Sequence, residues 1–345
     1  MMKREANEVS HPMGVVGGLP KTRSLPIAGR ATARPIDPSL DLEDEIAKLK
    51  KEKNAVILAH YYQDGEIQDV ADFIGDSLQL AQAAAKTKAD VICFAGVHFM
   101  AETAKILNPE KIVVVPDLEA GCSLASGAPA AKVAAWKARF PGAVLASYIN
   151  CSAEVKALSD YIVTSSNAEK IVSKIPEGTK ILFAPDKNLG GFINKKLGKQ
   201  MELWPGTCIV HDTFSERKII GLKERHPGAL LLAHPECDDV ILRMADYVGS
   251  TTGILTFAVK SDAKSFIVAT EPGILHQMQK SSPDKEFIPA PPEANCACNE
   301  CPHMKKNTLE KVYLSLRDLE PRLEMDPTLM KAALVPLNRM LELSA

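Results

Sequence analysis

The chain has 345 residues, of which 46% are hydrophobic and 24% are charged. This composition predicts a soluble globular protein with a sizeable core, divided into two or three domains. The 41 basic and 43 acidic side chains nearly balance, which excludes the strongly basic surface of a typical nucleic-acid-binding protein. The apolar runs are only long enough for strands, which argues against a membrane-spanning helix.

The cysteine content indicates the compartment. Eight cysteines in a chain of this length, without a recognisable signal peptide, do not resemble a secreted disulfide framework. We therefore expect a cytoplasmic protein in which some of the thiols bind metal.

Residues 1–40 form the first recognisable segment. They are rich in Gly, Pro, Arg and Ser and show no apolar periodicity, so we expect a disordered extension. From Asp41 onwards, short apolar runs alternate with helical patterns, and many of the runs end in Gly, Pro, Asp or His. This alternation predicts a parallel α/β architecture.

The chain from Asp41 contains an internal repeat. A pattern of seven residues occurs at 71–77, 159–165 and 245–251. An apolar run that ends in two polar residues precedes each copy, and the final hydroxyl residue lies 17 positions after the first of them. The repeat predicts three similar units, at 41–117, 118–205 and 206–301, with 302–345 completing the first unit.

Each unit is expected to contain four short strands. The expected strands are 56–59, 72–75, 91–95 and 112–115 in the first unit, 144–147, 161–164, 181–184 and 201–204 in the second, and 230–233, 247–250, 266–269 and 287–289 in the third. The fold class is therefore predicted as α/β, with three αβα units, each with a short, mainly parallel four-stranded sheet, related by a pseudo-threefold axis. Because ligands bind beyond the carboxyl ends of parallel strands, three such ends would enclose a central cavity.

Polar pairs that follow the first strand of each unit are candidates for catalysis. The pairs are His60 with Tyr62, Tyr148 with Asn150, and His234 with Glu236. One such pair is more often satisfied by local hydrogen bonds. Three pairs at equivalent positions, all rich in catalytic residue types, favour a shared active site.

Hydroxyl residues precede a helical pattern in each unit: Ser77, Ser165 and Thr251. Such residues are commonly N-caps, which accept a hydrogen bond from a free N–H group of the first helical turn. The same position also suits the binding of a carboxylate or phosphate, because the N-terminus of a helix attracts anions. Three of them around one cavity predict a small substrate with several negative charges.

The cysteines divide into two groups. Five of them follow the last strand of a unit: Cys122, Cys208, Cys296, Cys298 and Cys301. One thiolate from each unit would give a metal centre three ligands and leave a position open for Lewis-acid catalysis. The other three lie in or beside apolar runs and are expected to be buried and inert: Cys93, Cys151 and Cys237.

In several segments the sequence resembles the quinolinate synthase family, from about Asp41 to the C-terminal region. The matching segments are 59–63, 75–78, 121–123, 147–150, 163–166, 204–208, 234–237, 249–253 and 301–302. The resemblance implies three α/β domains in a triangle around a 4Fe–4S cluster, with Cys122, Cys208 and Cys301 as ligands and one iron open to substrate. The chain departs from the family in its last cysteine cluster, where Cys296 lies one residue closer to Cys298 than is frequent.

The resemblance also implies an activity. Members of this family condense iminosuccinate (2-iminoaspartate) with dihydroxyacetone phosphate and release quinolinate, phosphate and water, a step of NAD biosynthesis. The imine would come from an aspartate oxidase or an aspartate dehydrogenase. No nucleic-acid or membrane partner is implied.

Roles for the candidate residues follow from the residues and the resemblance together. Glu236 is expected to act as general base, because condensation and dehydration both need a proton removed next to a carbonyl or imine. Tyr62 is expected to donate or relay a proton to a leaving oxygen, with His60 and Tyr148 also catalytic. The residues expected to bind the carboxylates and the phosphate are His60, Ser77, Tyr148, Asn150, Ser165, His234, Glu236 and Thr251.

Two other functions remain open at this stage. A zinc enzyme of aldolase type would use Cys and His ligands to polarise a carbonyl group. A binding or sensor protein would bind the ligand without turnover, and its cluster would only report redox state. His211 lies near one of the motifs, where packing and direct contact explain it equally well.

Overall fold

The computed structural model describes residues 35–293 and 299–345. Most of the extension expected at 1–40, together with Cys296 and Cys298, lies outside the described residues. Residues 38–345 form a compact unit, and the described part of it contains three parallel sheets of four strands each, flanked by helices. The predicted α/β class with three repeated units is confirmed. None of the described helices combines the length and the apolar character that a membrane crossing demands.

The first sheet is built from the segment that follows Asp41. Asp41 is the N-cap of the first helix, because its carboxylate accepts the N–H groups of Glu43 and Asp44 at 3.0 and 3.1 Å. The elements are α1 (Leu42–Glu52), β1 (Ala55–His60), α2 (Gly65–Val70), β2 (Phe73–Gly75), α3 (Ser77–Lys86), β3 (Val91–Ala95), α4 (His98–Leu107) and β4 (Ile112–Val114). All of β3 is buried, as expected of a parallel strand covered on both faces.

The second sheet repeats this arrangement. Its elements are α5 (Ser123–Gly127), α6 (Ala130–Ala138), β5 (Val144–Tyr148), α7 (Ala153–Leu158), β6 (Tyr161–Val163), α8 (Ala168–Ser173), β7 (Ile181–Ala184), α9 (Lys187–Leu197) and β8 (Glu202–Leu203). β8 is shorter than the strand expected at 201–204. Both β5 and β7 lie in the interior of the sheet, and β8 forms its edge.

The third sheet is preceded by a short 3₁₀ turn at His211–Thr213. Its elements are α10 (Glu216–Arg225), β9 (Leu230–Ala233), α11 (Asp239–Met244), β10 (Tyr247–Val248), α12 (Thr251–Lys260), β11 (Ser265–Ala269), α13 (Ile274–Ser281) and β12 (Glu286–Pro289). Two helices follow, α14 (Leu309–Asp318) and α15 (Pro327–Ser344). α14 packs against α1, α2 and β3, whereas α15 packs against α4, α7, α8 and β6. The C-terminal helices thus cover parts of the first two sheets.

The three sheets have the same strand order. The orders are β2-β1-β3-β4, β6-β5-β7-β8 and β10-β9-β11-β12, and all the pairings are parallel. In each sheet the first and third strands of the unit are central. The carboxyl ends of these central strands therefore define the edge at which a site is expected.

The aspartate of the repeated pattern explains part of this regularity. In each unit its carboxylate accepts a backbone N–H group of the first strand at 2.7–2.8 Å and pairs with a lysine of the preceding helix at 2.7–3.0 Å. The sets of aspartate, strand residue and lysine are Asp72, Ile57 and Lys50; Asp160, Leu145 and Lys137; and Asp246, Leu231 and Lys223. The repeated residue thus ties the second strand of each unit to the start of the first strand.

Candidate active site

The carboxyl ends of the first strands of the three units meet at one cavity. His60 ends β1, Tyr148 ends β5, and His234 directly follows β9. The cavity encloses about 640 Å³, including the space that is open to solvent. The residues predicted from the sequence that line it are His60, Tyr62, Ser77, Cys122, Tyr148, Asn150, Ser165, Cys208, His234, Glu236, Thr251 and Cys301. The structure thus brings together the candidate residues of all three units, and the role of each stays a prediction.

The hydroxyl residues expected at helix starts line the cavity but cap no helix: Ser77, Ser165 and Thr251. Asp76 caps α3 and Ser250 caps α12, each by accepting backbone N–H groups of the first turn. Asn167 occupies the N-cap position of α8. The capping interpretation is therefore wrong for these three residues, because the neighbouring residues take that position and leave the three hydroxyl groups at the cavity.

Glu236 is the central acidic group of the cavity, with only 2% of its surface exposed. Its Oε2 atom lies 2.8 Å from Nδ1 of His211, and His234 and Tyr148 are further polar neighbours. Burial alone would raise the pKa of Glu236, but His211 and His234 offset it and hold this pKa below its usual range. Glu236 is therefore ionised at neutral pH and forms a buried pair with His211.

A chain of hydrogen bonds connects this pair to Tyr62. Nε2 of His211 lies 2.8 Å from Oγ1 of Thr270, and the same oxygen lies 2.7 Å from the Tyr62 hydroxyl. The Tyr62 hydroxyl is also 3.0 Å from Oγ1 of Thr251. Burial raises the pKa of Tyr62 well above its ordinary value, so Tyr62 is a neutral proton donor. The chain reaches from Glu236 in the third unit to Tyr62 in the first.

The two strand-end histidines of the cavity are uncharged at neutral pH. Burial lowers the pKa of His60 to about 4, although Asp76 and Glu236 oppose the shift. Burial and the neighbouring His211 lower the pKa of His234 to about 3. Both side chains therefore offer neutral hydrogen-bonding nitrogens to a ligand rather than positive charge.

Three cysteines face the cavity, one after each sheet. Burial raises the pKa of the Cys122 thiol to about 12 and raises the pKa values of Cys208 and Cys301 as well. The three predicted inert cysteines lie instead in the cores, each with no exposed surface: Cys93, Cys151 and Cys237. Only a bound cation would hold the three cavity thiols in their ionised form.

The three cavity cysteines share one local geometry. In each case the backbone N–H groups of the residues two and three positions further along the chain donate hydrogen bonds to the sulfur. Such N–H groups stabilise a sulfur that carries negative charge, as it does when it binds iron. The chain therefore presents three sulfurs of the same kind to one space.

Cys208, His211 and Glu236 form the one group of potential single-ion ligands found among the described residues, with ligand atoms within 4.8 Å of one another. Two ligands of one zinc ion, bound at about 2.0–2.2 Å in a tetrahedron, lie roughly 3.3 Å or more apart. The nitrogen of His211 and the oxygen of Glu236 are only 2.8 Å apart, which is the length of a hydrogen bond. This group is arranged as a hydrogen-bonded pair beside a thiol rather than as a zinc site.

Sequence reasoning missed part of the site. His211 and Thr270 are not among the predicted site residues, although both belong to the chain of hydrogen bonds. Thr270 directly follows β11, so the rule that strand ends face the site could have found it if it had been applied to third strands as well as first strands. His211 follows Cys208 by one turn, and this spacing was a usable signal.

Comparison with known proteins shows the family to which the chain belongs. A family profile described as "Quinolinate synthetase A protein" matches residues 44–342. A protein of Chloroherpeton thalassium named "Quinolinate synthase" is 62% identical over 306 residues, which cover 88% of this chain and 95% of that protein. Proteins of the same name from Microcystis aeruginosa and Gloeothece citriformis are 61% and 59% identical, covering 88% and 91% of this chain and 95% and 98% of theirs. The chain therefore belongs to the quinolinate synthetase A family.

Proposed function

We propose that this chain is a quinolinate synthase, which condenses iminosuccinate with dihydroxyacetone phosphate. The products are quinolinate, one phosphate and, by atom balance, two molecules of water. The observation that carries the proposal is the single cavity that three thiols, a buried glutamate–histidine pair and a chain of hydroxyl groups share. The family membership agrees with it. An aspartate oxidase or dehydrogenase would supply the imine.

We assign the three thiols to a 4Fe–4S cluster. Cys122, Cys208 and Cys301 follow the last strands of three different sheets, and each sulfur accepts the backbone N–H groups of the residues two and three positions further along the chain. Among the described residues these sulfurs do not form a group within 4.8 Å of one another, whereas three thiolates on a single zinc ion would lie about 3.8 Å apart. The donor set therefore fits a core of several atoms. When bound through three thiolates, such a cluster supplies a Lewis-acidic iron with an open position.

The anionic groups of the substrates would be bound without lysine or arginine. Among the described residues that line the cavity there is neither, and both strand-end histidines are neutral. The hydroxyl groups of Ser77 and Thr251 lie at the starts of α3 and α12, helices of ten residues whose N-termini favour negative charge. Hydroxyl, imidazole and amide groups thus bind the carboxylates and phosphate by hydrogen bonds.

Asn150 fits this role. Its Oδ1 atom is buried and has no hydrogen-bond partner among the described residues, which is rare for a buried polar atom unless a ligand or water satisfies it. A substrate hydroxyl or imine N–H group would satisfy it. Asn150 therefore orients the substrate at the end of the second sheet.

Proton transfer would use the chain of hydrogen bonds. The ionised Glu236, supported by His211, takes the proton that leaves carbon next to the imine or carbonyl. Tyr62 gives its proton to a leaving oxygen, and the proton that Glu236 has taken returns to Tyr62 through His211 and Thr270. The neutral Tyr148, whose pKa burial and Glu236 raise, donates a hydrogen bond to Glu236.

One wall of the cavity is apolar and excludes water. It comes mainly from the first unit and consists of Val97, Phe99, Met100 and Met304. Dehydration steps run more readily where water is excluded, and a planar pyridine ring packs well against apolar side chains. The polar side of the cavity thus binds the carboxylates and the phosphate, and the apolar side packs against the pyridine ring.

The decisive experiment is an assay on protein purified without oxygen. We expect brown protein with iron and sulfide, which forms quinolinate from dihydroxyacetone phosphate and iminosuccinate generated in the same vessel. Colourless protein that contains zinc and works in air would support the aldolase alternative. Ligand binding with an intact cluster but without turnover would support the sensor alternative.

A further inference from the structure

Glu271 is a buried carboxylate that the proposed chemistry does not use. It directly follows Thr270, and none of its surface is exposed. Its Oε2 atom accepts the N–H group of Gly273 at 2.7 Å, and its Oε1 atom accepts the N–H group of Cys301 at 3.2 Å. Glu271 thus holds the backbone of the third cavity cysteine next to a residue of the hydrogen-bonded chain.

Lys305 extends this connection to the first unit. Its Nζ atom lies 3.4 Å from Oε1 of Glu271, 2.8 Å from Oδ1 of Asp64 and 3.2 Å from the backbone oxygen of Tyr62. Its side chain is only 19% exposed, so these oxygens replace most of its water. One lysine therefore joins the segment after Cys301 to the segment that carries Tyr62.

The segment that contains Glu271 and Gly273 packs tightly against the segment that carries Tyr62. A Cβ atom on Gly273 would lie 2.8 Å from the backbone of Tyr62, closer than real contacts allow. Nearby, Nε2 of Gln68 donates to the backbone oxygens of Tyr61 and Gly273 at 3.0 and 2.9 Å. The position of Tyr62 is therefore sensitive to the Glu271 segment.

The internal repeat shows that this arrangement is special to the third unit. The second residue after the third strand is Val97 in the first unit, Asp186 in the second and Glu271 in the third. Asp186 is also buried, and it caps α9 by accepting the N–H group of Leu189 at 2.7 Å. Of these three residues, Glu271 is the one that contacts a cavity cysteine and a lysine. A simple capping role does not need either contact.

We propose that Glu271 and Lys305 are positioning residues, which fix the position of Cys301 relative to Tyr62. The pair fixes the distance between a ligand of the metal centre and the proton donor, although neither side chain lines the main cavity. This inference rests on the proposed function for the role of Cys301 as a ligand.

The test measures the position of Cys301 directly. The full-length chain is alkylated with a thiol reagent in its iron-free form, and the labelling rates of Cys301 and Cys122 are read by peptide mass spectrometry. The variants are K305M, E271Q and K305R, and the control is K306M, because Lys306 is the next residue and forms an exposed pair with Glu119 at 3.2 Å. The rate of iron release to a chelator from the loaded protein is measured in parallel.

For K305M and E271Q we expect the labelling rate of Cys301, relative to Cys122, to rise by about tenfold or more, because a buried partner is lost. We expect K305R and K306M to stay within about twofold of the unchanged chain, and iron release to follow the same order. In the turnover assay kcat should fall in K305M and E271Q with little change in KM. E271Q carries the test if K305M does not fold.

Equal acceleration at Cys301 and Cys122, or no acceleration at all, would overturn the inference. So would a K305M variant indistinguishable from K306M. If the unchanged chain forms no quinolinate but the variants K305M and E271Q still accelerate the labelling of Cys301 selectively, the proposed function fails and the positioning of Cys301 stands.

Discussion

Cys208 and Cys237 belong to the same unit, yet they lie in two different regions of the molecule. Both are surrounded by protein, and burial raises the pKa of each thiol. Cys208 lines the cavity beyond the strand ends, where its sulfur lies 3.3 Å from Nδ1 of His211. Cys237 lies in the core of the third unit and donates a hydrogen bond to the backbone oxygen of Ala269 at 3.3 Å.

The difference between the cavity and the core is one of partners. In the core, the thiol of Cys237 has one carbonyl oxygen and one backbone N–H group, that of His234, as partners, and the residues packed around it are apolar. In the cavity, the sulfur of Cys208 accepts hydrogen bonds from backbone N–H groups. It faces the same cavity as the thiols of Cys122 and Cys301. Whether the thiol faces the cavity or the core, and not its shifted pKa, separates a candidate ligand from an inert thiol.

The largest effect is expected from changing a cavity cysteine. C122S should remove the visible absorption of the cluster and reduce turnover by roughly 100-fold or more, because the remaining two thiols hold the metal poorly. Iron analysis and the quinolinate assay check this. C151S is the matched control, since Cys151 is buried in the core, and it should retain iron. Equal iron loss in both variants would contradict the division into two groups.

The next largest effect is expected at the buried acid of the cavity. E236Q should reduce kcat by about 10² to 10⁴ because the neutral amide cannot accept the proton. The cluster spectrum should stay unchanged, since Glu236 is not assigned as a ligand. Steady-state kinetics and visible spectra on the same sample measure both. Full activity in E236Q would remove Glu236 from the proposed chemistry.

A smaller effect is expected where the chain of hydrogen bonds is interrupted. T270V keeps the shape of the side chain but removes the hydroxyl between His211 and Tyr62, so kcat should fall by about tenfold to a hundredfold. The control is T252V, because the Thr252 hydroxyl contacts Gln79 at 2.7 Å and lies outside this chain. Comparable losses in T270V and T252V would show that the hydroxyl matters only for packing.

The smallest effect is expected in the core. C237A should lower the free energy of unfolding by about 1 kcal/mol, because it leaves a small cavity and removes the hydrogen bond from the thiol to the oxygen of Ala269, which still accepts the N–H group of His234. Urea unfolding of the iron-free chain measures this change. Iron content and turnover should match those of the unchanged chain. A loss of iron in C237A would place a core thiol in the metal centre.

The fold was largely predictable because the repeated residues make the same structural contacts in each unit. The repeated aspartates bind the first strand and a lysine in the same way in all three units, so the same residues recur for the same reason. The expected strands at 91–95, 181–184 and 230–233 have the observed bounds. Short edge strands such as β8 and β10 were predicted too long, because an edge strand pairs on one side only.

The site was predicted where the repeat marks it, and the residues outside the repeated pattern were harder to predict. The polar pairs stand at equivalent positions, so their meeting at one cavity followed from three similar sheets. Thr270 and Glu271 could not be found in this way, because the equivalent residues are Gly96 and Val97 in the first unit. Their roles depend on contacts with Tyr62 and Lys305, and contacts between distant segments leave no local pattern in a sequence.

Mössbauer spectroscopy on the ⁵⁷Fe-enriched protein, purified without oxygen and measured with and without quinolinate, tests the central claim most directly. The claim is that three thiols, one following each of the three sheets, hold one 4Fe–4S cluster whose fourth iron faces the substrates. We predict that quinolinate shifts about one quarter of the iron signal and leaves the rest unchanged. A spectrum without a 4Fe–4S signal, or one in which quinolinate changes no distinct iron, would contradict it.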